Sequence, residues 1–374
     1  MGEWLEKRMD DIAEFNPRES IKKGAIAKKI AMDKLQPFCR DVSRFEMEPF
    51  SGGTKFRNGD ILMARITPCL ENGKTARVDV LDEDEVGFGS TEYIVLRAKE
   101  RNDPDFTYYL VTSSLVREPA IKSMVGSSGR QRIQTDVLQK LKVKVPDLKS
   151  QQAIAGILKS LDDKIAANRR VNENLEEQVS LLYVAQFEEF IPHDGVHPSS
   201  WKQGILADIA SITSGKRPPM KSADRTDVAT IPLVGAASVM GFTSDFNHKD
   251  KILVTGRVGT HGVVQRFNSP CWTSDNTLVI TSDFYEYVYQ VLQRIDYHSL
   301  NRGSTQPLIT QGDMNKVVVL IPDAESLHNF ESTAGQLMEL YEVNLSENRR
   351  LAELRDTLLP RLMSGELDVS DLDL

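Results

Sequence analysis

The chain has 374 residues, of which 40% are hydrophobic and 27% charged, a composition typical of a folded protein of about two or three domains. No stretch approaches the roughly 18 apolar residues of a membrane span, and the N-terminus lacks the apolar core of a signal peptide, so we expect a cytoplasmic protein without membrane contact. A net charge of −8 excludes a chain that is basic throughout, and three scattered cysteines exclude a disulfide framework and a zinc-ligand pair.

The first predicted domain covers residues 1–147 and contains short strands. Three of these strands are predicted by the apolar runs 61–66, 93–96 and 141–145. Clusters of Gly, Pro, Asn and Ser separate the runs, as expected for turns. We therefore predict a mixed α/β domain of ordinary size.

A long helix is predicted for residues 148–195. From Ile154 the apolar residues recur in alternating steps of four and three, which is the heptad seam of a coiled coil. A helix of about 35 residues would be roughly 50 Å long. The polar Asn168 interrupts this seam.

Residues 196–323 repeat the first domain, because four of its segments return in the same order. These segments are 3–13, 60–66, 90–96 and 133–147, and they return at 200–210, 252–258, 274–280 and 309–323. The offset between the copies falls from 197 to 176 residues, as loop deletions in the second copy would produce. We therefore predict a second mixed α/β domain and an internal repeat.

A second long helix is predicted for residues 324–374, with Asn348 at the position that Asn168 takes in the first helix. A polar residue in an apolar seam costs stability and fixes the partner, so the matched interruptions indicate that the two helices pair with each other. Alternatively, both asparagines lie at the edge of the seam and are partly hydrated. We expect Pro360 to interrupt this helix. The residues predicted to pair the helices are Leu158, Leu161, Ile165, Asn168, Leu175, Met338, Tyr341, Leu345 and Asn348.

The charge is distributed unevenly along the chain. Residues 1–147 contain 25 Lys and Arg against 24 Asp and Glu, and residues 201–323 contain 12 against 11. The surplus acid lies in residues 148–200 and 324–374. The two predicted domains are therefore better suited to nucleic acid than the two predicted helices, which face solvent or protein.

Several longer motifs carry a resemblance to a known family. They are Gly59–Lys74, Gln151–Ala155, Asn168–Arg170, Gly256–Gly262 and Leu358–Leu367. Together and in this order they resemble the specificity subunits of type I restriction-modification systems, over essentially the whole chain.

The resemblance implies an α+β fold with an internal pseudo-twofold repeat. Two target-recognition domains would each read one half of a split, asymmetric DNA site, and two long antiparallel coiled-coil helices would separate them. The implied partners are double-stranded DNA, two methylating subunits and two restriction subunits. S-adenosylmethionine, ATP and Mg would be bound by those partner subunits, and this chain would hold no cofactor or metal and carry no catalytic residue.

Three motifs could be mistaken for catalytic sites. Gly73-Lys74-Thr75 matches the end of a phosphate-binding loop, but Pro68 stands where the opening glycine is required. The acidic residues at 162–163 are interpreted as helix surface, and Pro218-Pro219 lacks the preceding Asn or Asp of an amino-methyltransferase motif. Two alternatives remain open: a nuclease or methyltransferase that acts alone, and a coiled-coil scaffold that binds only protein.

Two polar loops, at 126–132 and 303–306, are the main candidates for DNA contact. Base edges require bidentate donors such as Arg, Gln and Asn, and phosphates require cations, hydroxyls and backbone amides. The predicted DNA-binding residues are Lys55, Arg57, Lys74, Ser127, Ser128, Arg130, Gln131, Arg132, Lys216, Arg217, Thr260, His261, Arg302, Ser304, Thr305 and Gln306. Each could instead be ordinary solvated surface. Arg65 and Arg257, at equivalent strand ends, could contact DNA or pair with local carboxylates.

Overall fold

The computed structural model describes residues 4–42, 44–127, 129–303 and 307–369. It contains two units, each with its own core. The first unit combines the residues up to Arg170 with those from Asn344 onward, and the second covers Val171–Val343. Among the described residues, no helix is both long and apolar enough to cross a membrane.

The described residues of the first unit form three sheets. Its strands are β1 (Leu5–Arg8), β2 (Ala13–Phe15), β3 (Ile26–Ile30), β4 (Glu46–Pro49), β5 (Thr54–Phe56), β6 (Ile61–Ala64), β7 (Thr75–Arg77), β8 (Gly87–Gly89), β9 (Tyr93–Ala98) and β10 (Lys142–Val145). The strand orders are β1-β10, β2-β9-β6-β7 and β4-β3-β8-β5, and every pair is antiparallel except β3 with β8. Its helices are α1 (Met9–Ile12), α2 (Pro104–Thr112), α3 (Ser114–Lys122), α4 (Thr135–Lys140) and the first part of α5 (Leu148–Tyr183).

In the second unit, too, the part of the chain that the structure describes forms three sheets. Its strands are β11 (Lys202–Ile205), β12 (Ser211–Ser214), β13 (Ile231–Val234), β14 (Val239–Thr243), β15 (Ile252–Gly256), β16 (Gln265–Phe267), β17 (Trp272–Thr273), β18 (Thr277–Thr281) and β19 (Val318–Ile321). The strand orders are β11-β19, β12-β18-β15-β16 and β14-β13-β17. Its helices are α6 (Tyr285–Gln293), α7 (Tyr297–Leu300), α8 (Gln311–Asn315) and the first part of α9 (Ala324–Met363). Single turns of 3-10 helix lie at Met32–Lys34 in the first unit and at Ile191–His193 and Leu206–Asp208 in the second. A π-helical turn, Val184–Glu188, follows α5.

The two units share one topology down to the pairing of individual residues. Leu5 pairs with Val145 in β1-β10, and the residues predicted to be equivalent, Lys202 and Ile321, pair in β11-β19. Pairs are likewise matched between the β6-β9 and β15-β18 ladders. The internal repeat and the mixed α/β fold predicted from the sequence are thus confirmed. Strand β5 has no counterpart among the described residues of the second unit.

Local sequence explains why these elements form where they do. In β10 the two valines are buried and the two lysines are exposed, which is the alternation of a strand with one face on a core. Helix α2 begins where Asp103 accepts a hydrogen bond from the Phe106 amide at 2.8 Å, with Pro104 in the first turn. The buried strand β6 lies between β9 and β7, so all four of its residues are apolar.

Both long helices contribute to the core of each unit. In the first unit, Leu158 of α5 and Leu362 of α9 are buried in the same cluster as the strands. In the second unit, Val179 of α5 and Phe330 of α9 take that role.

Within each unit the paired segments of α5 and α9 are antiparallel. In the first unit Asp162 bonds Arg355 at 2.7 Å, and Asn168 further along α5 bonds Asn348, earlier in α9, at 3.0 Å. In the second unit the Asn172 side chain donates to the Tyr341 carbonyl oxygen at 3.1 Å, and the ring of Tyr183, further along α5, lies 6.2 Å from that of Phe330, earlier in α9.

The observed seam differs from the predicted one at particular residues. Asp162 is buried and Leu161 only half-buried. Asn168 is buried at 4% exposure, whereas Asn348 is half-buried. The other residues predicted to pair the helices are buried or half-buried.

The expected interruption at Pro360 is wrong, because α9 continues to Met363. Proline removes one backbone N–H and crowds the carbonyl four residues earlier, but only three helical residues follow Pro360, so the disturbance is confined to the last turn. Its own carbonyl oxygen still accepts from the Ser364 amide at 3.0 Å.

Candidate nucleic-acid interface

The polar loop of the first unit is a short hairpin between α3 and α4. Val125 and Arg132 exchange backbone hydrogen bonds of 3.0 and 2.9 Å, and the Arg130 amide donates to the Ser127 carbonyl at 3.0 Å. Gly126 and Gly129 have φ angles of 134° and 76°, which favour glycine. The hairpin therefore holds Ser127 and Arg130 exposed at its tip.

The same hairpin is fixed to the end of β6. The Thr67 amide donates to the Gln131 carbonyl at 3.0 Å, and the Gln131 amide donates to Thr67 Oγ1 at 2.8 Å. Two residues after Gln131, the Ile133 amide donates to the Arg65 carbonyl at 2.9 Å. The structure thus brings Gln131 and Arg132 beside Arg65, as parts of one framework.

A charged cluster lies where the hairpin meets β6 and β9. Arg132 donates to both carboxylate oxygens of Glu92, with Nε at 2.9 Å from Oε2 and Nη2 at 2.6 Å from Oε1. The hydrogen bond from Arg132 lowers the pKa of Glu92, burial opposes this shift, and the charge of Arg65 adds to it. Arg65 Nε is buried without a hydrogen-bond partner among the described residues. The cluster keeps a net positive charge at neutral pH.

The second unit repeats this framework with different side chains. The Ile309 amide donates to the Arg257 carbonyl at 2.9 Å, and the Arg257 amide donates to the Asn276 carbonyl at 2.8 Å. Val258 bridges Leu308 as Ile66 bridges Arg132. Leu308 therefore replaces Arg132, and Asn276 replaces Glu92.

Two further loops of the second unit lie at the start of β18. The Gly215 amide donates to the Thr277 carbonyl at 3.1 Å, which places the exposed Lys216 and Arg217 at one edge of β18. Arg257 lies at the opposite edge of β18, at the end of β15. In the loop after β15, Thr260 is exposed.

His261, in the same loop as Thr260, is only partly accessible. Its Nδ1 lies 3.3 Å from the Gly256 oxygen, and its Nε2 is buried without a described partner. The predicted residues Ser128, Ser304, Thr305 and Gln306 lie outside the described residues.

Besides Arg132, four predicted cations have partners within the protein. Arg57 bonds Glu19 at 2.8 Å, Lys74 donates to the Met32 carbonyl at 2.9 Å, Lys55 lies 5.3 Å from the centre of the Phe50 ring, and Arg302 pairs with Asp313. Burial opposes the ionisation of Glu19, but hydrogen bonds from Arg57 and Arg97 outweigh it and lower its pKa. These contacts give each cation a role within the fold, and their role in DNA contact stays a prediction.

Glu92 lies in the charged cluster but is not among the residues predicted from the sequence to contact DNA. One signal could have found it: the repeat places Glu92 and Asn276 at equivalent positions beside the two strand-end arginines.

The interpretation of the acidic pair as helix surface is wrong for Asp162. Its carboxylate is buried and accepts from Tyr109 Oη and Arg355 Nη1, both at 2.7 Å, which fits helix packing. Within the described part of the chain, no group of three or more His, Cys, Asp or Glu side chains could hold a metal ion.

Comparisons with known proteins agree with this architecture. The family model described as "Type I restriction modification DNA specificity domain" matches residues 1–177 and 198–337. The type I restriction enzyme HindI specificity subunit of Haemophilus influenzae is 24% identical, over 87% of this chain and 90% of that protein. The MjaIX specificity subunit of Methanocaldococcus jannaschii is 25% identical, over 72% of this chain and 70% of its own length.

A solved structure shows the same fold. The type I restriction-modification system S subunit from M. genitalium superposes with a TM-score of 0.57 at 17% identity, over 96% of both chains. With the matches of the family model to both halves of the repeat, the chain belongs to the family of type I restriction-modification DNA specificity proteins.

Proposed function

We propose that this chain is the DNA-recognition subunit of a type I restriction-modification complex. Each unit reads one half of a split, asymmetric DNA site. The chain recognises DNA and assembles the complex, and it performs no catalytic step.

The observation that carries this proposal is the repeated framework with unlike side chains. The backbone bonds that join the candidate loop to the strand end recur in both units at 2.9 Å, between Ile133 and Arg65 and between Ile309 and Arg257. The side chains on that framework differ, because Arg132 is replaced by Leu308. One architecture with two sets of contacts is what two unlike half-sites require.

The charge distribution supports phosphate contacts and base contacts that are made by different residues. The exposed Arg130 and Ser127 can contact phosphates, while the cluster around Glu92 has too little net charge for strong non-specific binding. We expect affinity to rise when the methylating subunits add their own surface.

The long helices are proposed to set the distance between the half-sites. With 36 residues, α5 has a length of roughly 54 Å. Half-sites about one DNA turn apart, roughly 34 Å, would be met on one face of the duplex. The bond between Asn168 and Asn348 fixes one register of the helix pair and so supports a constant gap.

The reaction chemistry is proposed to belong to the partners. Two methylating subunits would hold S-adenosylmethionine, and two restriction subunits would use ATP and Mg. The surplus of acidic residues in 148–200 and 324–374 supports a role of the helices in binding protein rather than DNA.

Deletion of the gene tests this proposal. Adenine methylation across the host genome should lose one split motif with a fixed unspecified gap, and the full chain should restore it. A genome whose methylation pattern is unchanged by the deletion would overturn the proposal. If Arg130→Ala with Arg132→Ala left the DNA affinity of the assembled complex unchanged, a scaffold that binds only protein would be favoured instead.

A further inference from the structure

We propose that Glu92 is a positioning residue and that Arg132, held by it, reads a guanine in the half-site of the first unit. This inference rests on the proposed function and assigns a base to one contact of that function.

The geometry of the pair leaves one edge of the guanidinium available. Glu92 occupies Nε and one hydrogen of Nη2, at 2.9 and 2.6 Å. Nη1 has no hydrogen-bond partner among the described residues, and 44% of the Arg132 side chain is exposed. The free edge therefore presents two parallel N–H donors. Guanine offers two adjacent acceptors, O6 and N7, to such a pair of donors in the major groove.

Both partners are held in place by backbone structure. Arg132 exchanges two backbone hydrogen bonds with Val125 across the hairpin. The Glu92 carbonyl accepts from the Arg65 amide at 2.9 Å. The Glu92 amide is bonded in turn to Ser90 Oγ at 3.1 Å. An arginine fixed in this way loses less conformational freedom when it contacts a base.

A purely structural role explains the pair less well. The side chains of Arg132 and Glu92 are 44% and 25% exposed, and ion pairs at such exposure stabilise a fold only weakly. The second unit keeps the same framework with Leu308 and Asn276 in their places, so the framework does not need the ion pair.

The second unit supplies the contrast. Leu308 has no donor, so it cannot bind guanine in this way, whereas the exposed Asn276 can pair with adenine. At this position we therefore expect a preference for guanine in the half-site of the first unit and no such preference in the half-site of the second.

The test uses the complex of this chain with its methylating subunits. A library of duplexes with randomised half-sites is offered to the complex, and methylated adenines are located by sequencing. Arg132→Lys keeps the charge but removes the bidentate edge, and Glu92→Gln keeps the size but weakens the hold on Arg132. Arg130→Ala, in the same hairpin, is the matched control.

The expected result is a loss at a single base position. Arg132→Lys should lower the preference for guanine there by about 5- to 150-fold, and all other positions should keep their preferences. Glu92→Gln should produce a smaller loss at the same position. Arg130→Ala should lower methylation of all sequences in equal proportion.

The outcomes separate the inference from the proposed function. If the wild-type complex selects no split motif, the proposed function fails and this inference with it. If the split motif is present but Arg132→Lys keeps the guanine preference, the inference alone is overturned. An equal loss at both half-sites would also overturn it, because that result indicates a general loss of affinity. Thermal melting shows whether each variant is folded. If either Arg132→Lys or Glu92→Gln is unfolded, the base preference of the other variant decides whether the inference holds.

Discussion

Asp162 of α5 links both long helices to α2 within the first unit. Its carboxylate, 5% exposed, accepts from Tyr109 and from Arg355, whose side chain is 11% exposed. These partners are 53 and 193 residues away in the sequence. Sequence patterns record neighbours along a helix or strand, so they could not predict this contact.

Asp162→Ala should lower the free energy of unfolding by about 3–5 kcal/mol, because it removes the only buried carboxylate bonded to Arg355 among the described residues and leaves the buried Tyr109 hydroxyl without its acceptor. Urea denaturation followed by circular dichroism measures the change. Asp356→Ala is the matched control: it removes the other carboxylate partner of Arg355, which is 63% exposed, and should cost less than about 1 kcal/mol. Equal losses in the two variants would contradict the argument.

At the scale of single elements, the strands were easier to predict than the candidate interface. The alternation in β10 and the apolar run of β6 are local signals, and both strands were predicted within two residues. The hairpin around Arg132 was found as a polar loop, but its attachment to Thr67 and Glu92 was not. Those contacts join segments 64 and 40 residues apart and depend on the order of strands in the sheet.

The start of α9 offers a test of pH dependence. Asp323 accepts from the Ser326 amide at 2.9 Å and from Trp201 Nε1 at 3.0 Å. These hydrogen bonds, the one from Ser326 first, lower the pKa of Asp323 to about 2. The folded-state pKa is below the unfolded value of about 3.9, so the carboxylate stabilises the fold above about pH 4 and this contribution is lost as the pH falls towards 2.

Asp323→Asn keeps a helix cap but removes the charge. The difference in unfolding free energy between wild type and variant should be constant above about pH 5 and shrink towards pH 3, as measured by urea denaturation at each pH. Asn329→Ser, at an exposed site near the start of the same helix, changes no ionisable group and should give a difference that does not change with pH. A constant difference for Asp323→Asn as well would show that the charge is not the cause.

At the scale of the whole molecule, the proposed DNA recognition would depend on a small number of cations in an acidic chain. The net charge of −8 is concentrated in the helical segments, so the candidate interfaces are nearly neutral. Each phosphate contact then accounts for a measurable part of the salt dependence.

Arg130→Ala should therefore make DNA binding by the assembled complex less sensitive to salt. The slope of log affinity against log salt concentration, measured between about 50 and 200 mM, should become shallower by roughly one. Lys140→Ala, which removes a cation paired with Asp136 outside the predicted contacts, should leave the slope unchanged. A slope that is the same in Arg130→Ala and wild type would exclude Arg130 from phosphate contact.

The participation of Leu362 and Met363 in the core of the first unit has a consequence for biosynthesis. The second unit is one continuous segment, Val171–Val343, and it can close its core as soon as that segment has left the ribosome. The first unit emerges earlier but must wait for the end of α9 before its apolar cluster is complete. We therefore expect the second unit to complete its core before the first, which leaves apolar residues of the N-terminal segment exposed for longer.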